Sequence, residues 1–285
     1  MSDTPATAPQ DQPATAHDTI AFIGGGNMAS ALIGGLLAQG MPPAHIEVVE
    51  PSQAARDALH AQFGIAAQAE CGPQLRAAGL VVWAVKPQVF REAALQARPL
   101  TSEALHLSVA AGIRSSSIAQ WLGSDRVVRA MPNTPALIGR GISGLFARQA
   151  VDAVQRQRIE QVMAPTGETL WVEQESQLDA VTALSGSGPA YVFYVLEAMT
   201  RAGVDMGLTD AQAHQLAIAT VAGASELARR SDEAPEVLRQ RVTSKGGTTH
   251  AAIESLQQAG VAAHFVHAIK AAEQRARELG DEFGT

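Results

Sequence analysis

Cysteine is almost missing from this chain, with Cys71 the only one among 285 residues. A single cysteine excludes both an internal disulfide framework and a cysteine-rich metal site. Aromatic residues make up 4% of the chain, so a core has to rest on Ala, Leu, Val and Ile. No apolar run approaches the roughly 18 residues that a membrane span requires. These absences predict a protein of the reducing cytoplasm with no membrane partner.

Positive charge is also in short supply, because 21 Lys and Arg face 28 Asp and Glu, a net charge of −7. Binding of nucleic acid needs clustered basic residues, so nucleic acid is excluded as the main partner. The eight histidines show no zinc-site spacing such as H-E-x-x-H, and no G-x-S-x-G motif is present. We therefore expect no metal, and we interpret His250, His264 and His267 as surface or packing residues.

Residues 1–18 consist mostly of Ala, Thr, Pro and Gln, and we predict a disordered tail there. From Thr19 onward, short apolar runs alternate with helical stretches. Alternation of this kind predicts βαβ units and a doubly wound, mostly parallel sheet of the Rossmann type, over residues 19–174. The predicted strands are residues 19–23, 46–49, 80–85, 105–109, 127–129, 142–146 and 168–172.

The strand pattern stops after about Gln174, and long apolar-periodic segments follow. We predict an all-helical C-terminal domain over residues 175–285. Helices so apolar in a small domain are expected to bury a face against a second copy, which predicts a homo-oligomer. The predicted helical segments of this domain are residues 178–203, 209–230, 248–258 and 261–279. Within the first segment, we expect Ser187, Gly188 and Pro189 to break or start a helix.

The segment after the first strand fits G-x-G-x-x-A, with Gly24, Gly26 and Ala29 in the three small positions. The first glycine makes the turn, the second lets the backbone approach a pyrophosphate, and the third position packs the helix on the strand. A helix beginning at Asn27 and Met28 would point free N–H groups at the phosphates. This context predicts dinucleotide binding, and a purely structural glycine turn is the alternative.

Glu50 ends the second strand, where an acid would bond the adenosine ribose and favour NAD(H). Ser52 and Arg56 follow it and could instead hold the 2′-phosphate of NADP(H). Glu50 could equally be a solvated strand end. The sequence therefore predicts NADP(H) or NAD(H) as cofactor without choosing between them.

Four further segments stand out by their order and spacing, namely Ala84–Pro87, Arg129–Pro135, Leu184–Ala190 and Ser244–Thr249. In these segments, and over nearly the whole chain from Thr19, the sequence resembles the pyrroline-5-carboxylate reductase family. The most specific is the fourth, in which Lys245 stands where many members carry a proline.

This resemblance implies hydride transfer from NAD(P)H to the imine carbon of 1-pyrroline-5-carboxylate, giving L-proline. It also implies that the helical domains pair into a homodimer, that dimers can assemble into a decamer, and that the active site lies between the two domains. The Rossmann side would supply Val85, Lys86 and Pro87, at a strand end where such sheets bind ligands. Lys86 would contact the nicotinamide ribose, or it is an ordinary surface lysine.

The resemblance places Met131, Asn133 and Thr134 beside the nicotinamide, although a proline-rigidified structural turn is the alternative. It assigns the substrate carboxylate to Ser244, Gly246, Gly247 and Thr248, and the ring nitrogen to Thr249. An ordinary helix cap by Ser244 or Thr248 would also satisfy that segment. Thr249 and Lys86 are the candidate catalytic residues, and Asp232, Glu233 and Lys86 are possible proton donors among which the sequence does not choose.

Two rival functions remain possible at this stage. A β-hydroxyacid dehydrogenase shares the two-domain plan but usually recruits a lysine in its helical domain, and residues 178–230 contain none. A non-catalytic cofactor sensor would not need the loop at residues 246–249. Both rivals are therefore disfavoured against the reductase.

Overall fold

The computed structural model of the chain describes residues 19–284, so the tail predicted over residues 1–18 lies outside the described residues. The chain divides into two compact units. The sheet unit runs to Leu178 and takes in the chain again from Leu279, and the helical unit is Asp179–Glu278. The domain limits inferred from the sequence differ from these units at the C-terminal end, and they stay a prediction.

The sheet unit holds a seven-stranded sheet in the order β2-β1-β3-β4-β5-β6-β7. Strands β1 to β5 are mutually parallel, β6 is antiparallel to β5, and β7 is parallel to β6. The predicted doubly wound, mostly parallel sheet is thus confirmed. The strands are β1 Thr19–Ile23, β2 Ile46–Val49, β3 Ala78–Trp83, β4 Leu105–Ser108, β5 Val127–Met131, β6 Gly141–Ala147 and β7 Gly167–Trp171.

Both faces of this sheet are covered, because successive residues of a strand point to opposite sides. In β1, Ile20 and Phe22 belong to one apolar cluster, whereas Ala21 and Ile23 belong to a second cluster on the other face. The covering helices are α1 Asn27–Ala38, α2 Gln53–Phe63, α3 Pro87–Ala97, α4 Ser115–Leu122 and α5 Ala153–Met163.

The third strand ends two residues earlier than the sequence pattern predicts. Ala84 still donates its N–H to the Ile23 carbonyl at 2.8 Å, but Lys86 already serves as the N-cap of α3. Pro87 enters that helix in its first turn, where its missing N–H costs nothing. The apolar Ala84 and Val85 therefore form a strand-to-helix connection rather than sheet.

The helical unit begins with α6 Gln177–Val181, which spans the boundary between the units. The helical stretch predicted over residues 178–203, with a break or a helix start at residues 187–189, contains a π-helical turn over Thr182–Gly186, and α7 begins at Gly188. Gly188 and Pro189 then begin α7, because a helix tolerates proline in its first turn but not in its interior. The following helices are α7 Gly188–Asp205, α8 Asp210–Arg229, α9 Pro235–Arg241, α10 Thr248–Gln258 and α11 Val261–Phe283.

Helices α7 and α8 approach each other closely at Gly203. A Cβ added there would lie 2.7 Å from the Cβ of Ala213, so a larger residue would push the helices apart. Within residues 19–284, we find no helix with both the length and the apolar character needed to cross a membrane.

Candidate active site

The carboxyl ends of strands β1 to β5 share one edge of the sheet. The chain goes from β1 outward to β2 and then crosses back to β3 on the other side of β1. Such a reversal leaves a crevice above the sheet, and open α/β sheets bind their ligands there. The segments that follow β1, β2, β3 and β5 are the four Rossmann segments predicted as cofactor-binding.

The glycine turn after β1 is packed tightly into this edge. Gly24 has a φ of +98°, and its N–H bonds the Val49 carbonyl at 2.8 Å. A Cβ on Gly24 would lie 2.6 Å from the Ala84 carbonyl oxygen, so only glycine fits between β1 and β3. Ala29 is fully buried beneath the turn, as the third position of the motif requires.

Helix α1 begins with an open N-terminus. Gly26 is its N-cap, and the described residues provide no side-chain cap there. A Cβ on Gly26 would meet nothing within 4 Å among the described residues, so a ligand can approach the backbone directly. Asn27 is exposed and Met28 half-buried in the first turn. Free N–H groups and the positive end of the helix dipole fit a pyrophosphate, and this cradle therefore fits a dinucleotide.

Glu50, at the end of β2, faces the glycine turn. Its carboxylate accepts a hydrogen bond from the Gly25 N–H at 2.8 Å and another from the Ser52 N–H at 2.8 Å. The structure therefore places Glu50 against Gly25 of the glycine turn, with Ser52 bonded to the same carboxylate, and Glu50 is not a freely solvated strand end.

The segment after β3 contributes Val85, Lys86 and Pro87 to the same edge. Val85 packs under the glycine turn, since a Cβ on Gly24 would lie 3.1 Å from its Cγ1. Lys86 is exposed. An exposed ammonium at this edge is free to reach a ligand, although its contact with a cofactor remains a prediction.

The segment after β5 places Met131, Asn133 and Thr134 on the edge as well. Asn133 is the N-cap of the short helical turn Thr134–Ile138, and its Oδ1 accepts from the Ile142 N–H at 3.1 Å. This bond ties the loop to β6. The structural-turn interpretation is thus supported for Asn133, and a role beside the nicotinamide stays a prediction.

The second glycine loop, Ser244–Thr249, belongs to the helical unit. Gly246 has a φ of +76°, and the Gly247 N–H closes a turn on the Ser244 carbonyl at 3.0 Å. Gly247 is the N-cap of α10, where again no described residue supplies a side-chain cap. The ordinary cap by Ser244 or Thr248 is therefore not formed, and the N–H groups of the first turn remain available.

The loop also suits an anion in charge and access. Its first helical turn carries no carboxylate, whereas Lys245 adds a cation beside it. A Cβ on Gly246 would find open space within 4 Å of described atoms. Thr248 is exposed and Thr249 half-buried. Uncapped N–H groups, hydroxyls and an open approach can hold a carboxylate.

Sequence reasoning missed a buried charged cluster in the sheet unit. Arg129, in β5, is 5% exposed and pairs with Glu175 at 2.7 Å. Glu175 also accepts from the Ser115 hydroxyl at 2.6 Å and the Ser115 N–H at 2.5 Å, which caps α4 from a distant part of the chain. Burial alone would raise the pKa of Glu175, but the hydrogen bonds from Ser115 and the charge of Arg129 lower it below its usual value.

A histidine lies buried within the sheet. His106, in β4, is 1% exposed and accepts a hydrogen bond at Nδ1 from the indole N–H of Trp83 at 3.2 Å. Burial, assisted by the charge of Arg126 and opposed by a backbone contact with Thr101, lowers the pKa of His106 to about 4. In the described part of the chain, no group of three His, Cys, Asp or Glu residues could hold a metal ion.

Family models match both parts of the chain. Residues 175–279 match the model described as pyrroline-5-carboxylate reductase dimerisation. Residues 19–112 match the model described as NADP oxidoreductase coenzyme F420-dependent.

Individual relatives extend over almost the full length. The chain is 45% identical to the pyrroline-5-carboxylate reductase of Pseudomonas aeruginosa, over 93% of this chain and 98% of the relative. It is 37% identical to that of Pisum sativum, over 92% and 96%. The solved pyrroline-5-carboxylate reductase of Coxiella burnetii shares 39% identity with a TM-score of 0.86, over 92% and 98%. The Plasmodium falciparum pyrroline carboxylate reductase with NADP bound shares 25% identity with a TM-score of 0.83, over 94% and 100%.

Proposed function

The chain belongs to the pyrroline-5-carboxylate reductase family, and from this premise we propose which of its residues carry out the reaction. It is an NAD(P)H-dependent oxidoreductase that reduces 1-pyrroline-5-carboxylate to L-proline, the last step of proline biosynthesis. The reduced nicotinamide, when bound, supplies the hydride that the imine carbon receives. The imine nitrogen keeps or gains one proton, so the C=N double bond becomes a C–N single bond, with a new C–H bond at the carbon and an N–H bond at the nitrogen.

For the cofactor, we assign the edge of the sheet unit. Gly24, Gly26, Asn27 and Met28 would hold the pyrophosphate through the open start of α1. The ribose would meet Glu50 and Ser52 at one end of the dinucleotide. The nicotinamide end would lie along two further groups, Val85–Pro87 and Met131–Thr134.

For the substrate, we assign the loop Ser244–Thr249 of the helical unit. One observation carries this assignment: α10 starts behind two glycines, and none of the described side chains caps it. The carboxylate of the substrate would bind the N–H groups of Gly246, Gly247 and Thr248 with the Ser244 hydroxyl. Thr249 would hydrogen-bond the ring nitrogen, which orients the imine carbon for hydride transfer.

Lys86 completes the proposed catalytic set as an exposed cation at the cofactor edge. Imine reduction needs little from a dedicated acid, because the imine is basic enough to arrive protonated. We therefore assign Lys86 to positioning of the nicotinamide ribose. Glu233 is already bonded to Arg241, whereas Lys86 has an open surface around it.

The substrate assignment is tested by Thr249→Ala. Loss of one hydroxyl contact should cost about 1–3 kcal/mol of transition-state stabilisation, which lowers kcat/KM roughly 5- to 150-fold. Thr249→Ser should restore most of the lost kcat/KM. Thr243→Ala is the matched control, since the Thr243 hydroxyl bonds the Arg239 carbonyl at 2.6 Å at the end of α9. Unchanged turnover and KM in Thr249→Ala would remove Thr249 from the site.

We further propose that the functional molecule is a homodimer formed through the helical unit, located in the cytoplasm. The family model for residues 175–279 is described as dimerisation, and the helical unit exposes many large apolar side chains. Assembly of dimers into a decamer remains an implication of the family resemblance. Sedimentation velocity on the purified chain measures both steps.

A further inference from the structure

We infer that Glu50 makes this enzyme bind NADH in preference to NADPH. The inference rests on the proposed cofactor edge and deepens it by naming the dinucleotide. It concerns the residue at the end of β2, where dinucleotide-binding sheets meet the 2′ position of the adenosine ribose.

The Glu50 side chain is fixed by the backbone on both sides. Its Oε2 receives the Gly25 N–H and its Oε1 receives the Ser52 N–H, each at 2.8 Å. Gly25 is the middle residue of the glycine turn, and a Cβ there would lie 3.3 Å from both Cβ and Cγ of Glu50. The carboxylate is therefore held against the glycine turn and is not free to rotate in solvent.

This arrangement leaves acceptor capacity for a ribose. A carboxylate offers about four lone-pair positions, and the two backbone N–H groups use two of them. The remaining two suit the 2′- and 3′-hydroxyls of the ribose, which are donors. A 2′-phosphate in the same place would present only acceptors and negative charge to a carboxylate.

The groups that could hold a 2′-phosphate are engaged elsewhere. Arg56 donates from one guanidinium nitrogen to the carbonyls of Glu50 and Pro51, at 2.8 and 2.7 Å, and from the other to Gln53. The Ser52 N–H is used by Glu50, and the Ser52 hydroxyl caps α2 by accepting from Ala55 at 3.4 Å. The cationic side chain near this position is thus directed to the backbone of its own turn.

Electrostatics then decides between the two dinucleotides. A phosphate a few ångströms from the carboxylate is repelled even in bulk water, and more strongly near a protein surface. That repulsion converts to a preference for NADH of at least about tenfold once the lost ribose hydrogen bonds are included.

The test is isothermal titration calorimetry of the full-length protein, which measures the Kd for NADH and for NADPH. The same measurement is made with ADP and 2′,5′-ADP, the corresponding fragments that lack nicotinamide. We expect the wild type to bind NADH and ADP at least about tenfold more tightly than NADPH and 2′,5′-ADP. Glu50→Gln removes the charge but keeps the shape, and it should bring the two affinities within about threefold of each other. Asp57→Asn is the matched control, since Asp57 is an exposed acid of α2 bonded to Gln53, and it should leave the ratio unchanged.

Equal or tighter binding of NADPH and 2′,5′-ADP by the wild type would overturn the inference. An unchanged ratio in Glu50→Gln, or an equal change in Asp57→Asn, would overturn it too. Failure of the proposed function has a different signature, namely tight binding of NADH without its oxidation on addition of 1-pyrroline-5-carboxylate. Binding of neither dinucleotide would overturn both.

Discussion

The sheet unit and the helical unit bury very different side chains. In the sheet unit the largest fully buried residues include Trp83, Phe22 and Phe90. Within the described residues of the helical unit, the fully buried hydrophobic residues are alanines such as Ala213 and Ala217. Its large apolar residues are instead exposed at the surface, for example Val192, Phe193, Tyr194, Leu216, Leu227, Phe265 and Val266.

The sheet unit therefore buries its largest apolar side chains within its own fold, whereas the helical unit leaves many of its large apolar side chains available for contact with another molecule. A contiguous exposed apolar surface marks an interaction site in a native protein. The glycine loops follow the same division. Gly24 is enclosed by Ala84, while Gly246 has open space around it in the described chain.

The largest effect is expected from a charge placed in the exposed apolar surface of the helical unit. Phe193, in α7, is 59% exposed, and Phe193→Asp should convert the dimer to a monomer and reduce turnover by about 100-fold or more. Val154→Asp is the control, because Val154 in α5 of the sheet unit is 75% exposed and an acid suits a first helical turn. Sedimentation velocity and kcat measure both. A Phe193→Asp protein that stays dimeric would break the comparison.

The next effect concerns the buried ion pair of the sheet unit. Arg129→Met leaves Glu175 without its partner charge and should cost about 3–5 kcal/mol of unfolding free energy. Arg126→Met removes a more exposed pair with Glu103 and should cost less than about 1 kcal/mol. Urea titration followed by tryptophan fluorescence measures both, since Trp83, Trp121 and Trp171 all lie in the sheet unit. Equal costs would show that burial does not set the value of the pair.

Acid should weaken the sheet unit through His106, whose native pKa is about 4 against an ordinary value of 6.5. Below pH 6.5, His106 becomes protonated in the unfolded chain but stays neutral in the native state. The free energy of unfolding therefore falls as the pH falls to about 4. The total loss is about 3 kcal/mol. Glu175, whose pKa is lowered, adds its own loss only below about pH 4.5.

His106→Gln keeps a polar acceptor for the Trp83 indole and removes the titration. Its unfolding free energy between pH 6.5 and 4.5 should therefore be flatter than that of the wild type. Urea midpoints at several pH values provide the measurement. The same slope in both proteins would assign the acid sensitivity to other groups.

The smallest effect separates the two glycine loops. Gly246→Ala and Gly24→Ala both carry the cost of a left-handed residue, about 1–2 kcal/mol. Gly24→Ala must in addition displace the Ala84 carbonyl, so it should cost about 1–2 kcal/mol more and weaken NADH binding. Thermal unfolding and NADH titration of both variants test this, and equal losses of stability would contradict the packed description of the first loop.

Much of the fold followed from local patterns in the sequence. The positions of the strands, the start of α1 and both ends of α8 and α10 were predicted to within one or two residues, because apolar periodicity and glycine or proline residues at turns act over short distances. The end of β3 was predicted two residues too late, and the π-helical turn over Thr182–Gly186 was not predicted. In both places apolar residues continue through a change of backbone conformation, so periodicity carries no signal.

The candidate site was likewise predictable from the sequence only in part. Its glycine motifs and the loop Ser244–Thr249 could be recognised from neighbouring residues alone. The pairing of Arg129 with Glu175, 46 residues apart, could not, although an arginine inside an apolar strand signals that a buried charge needs a partner. Likewise the bond between Glu50 and Gly25 joins positions 25 residues apart.

Residue type and local spacing were enough to predict a Rossmann-type sheet followed by helices, two glycine loops and an anionic chain. Folding was needed to show that α1 and α10 start without side-chain caps, that Glu50 is held by the glycine turn, and that Arg56 bonds the backbone of its own turn. These features depend on which side chains and backbone groups folding brings together, and one residue type is compatible with several such partners.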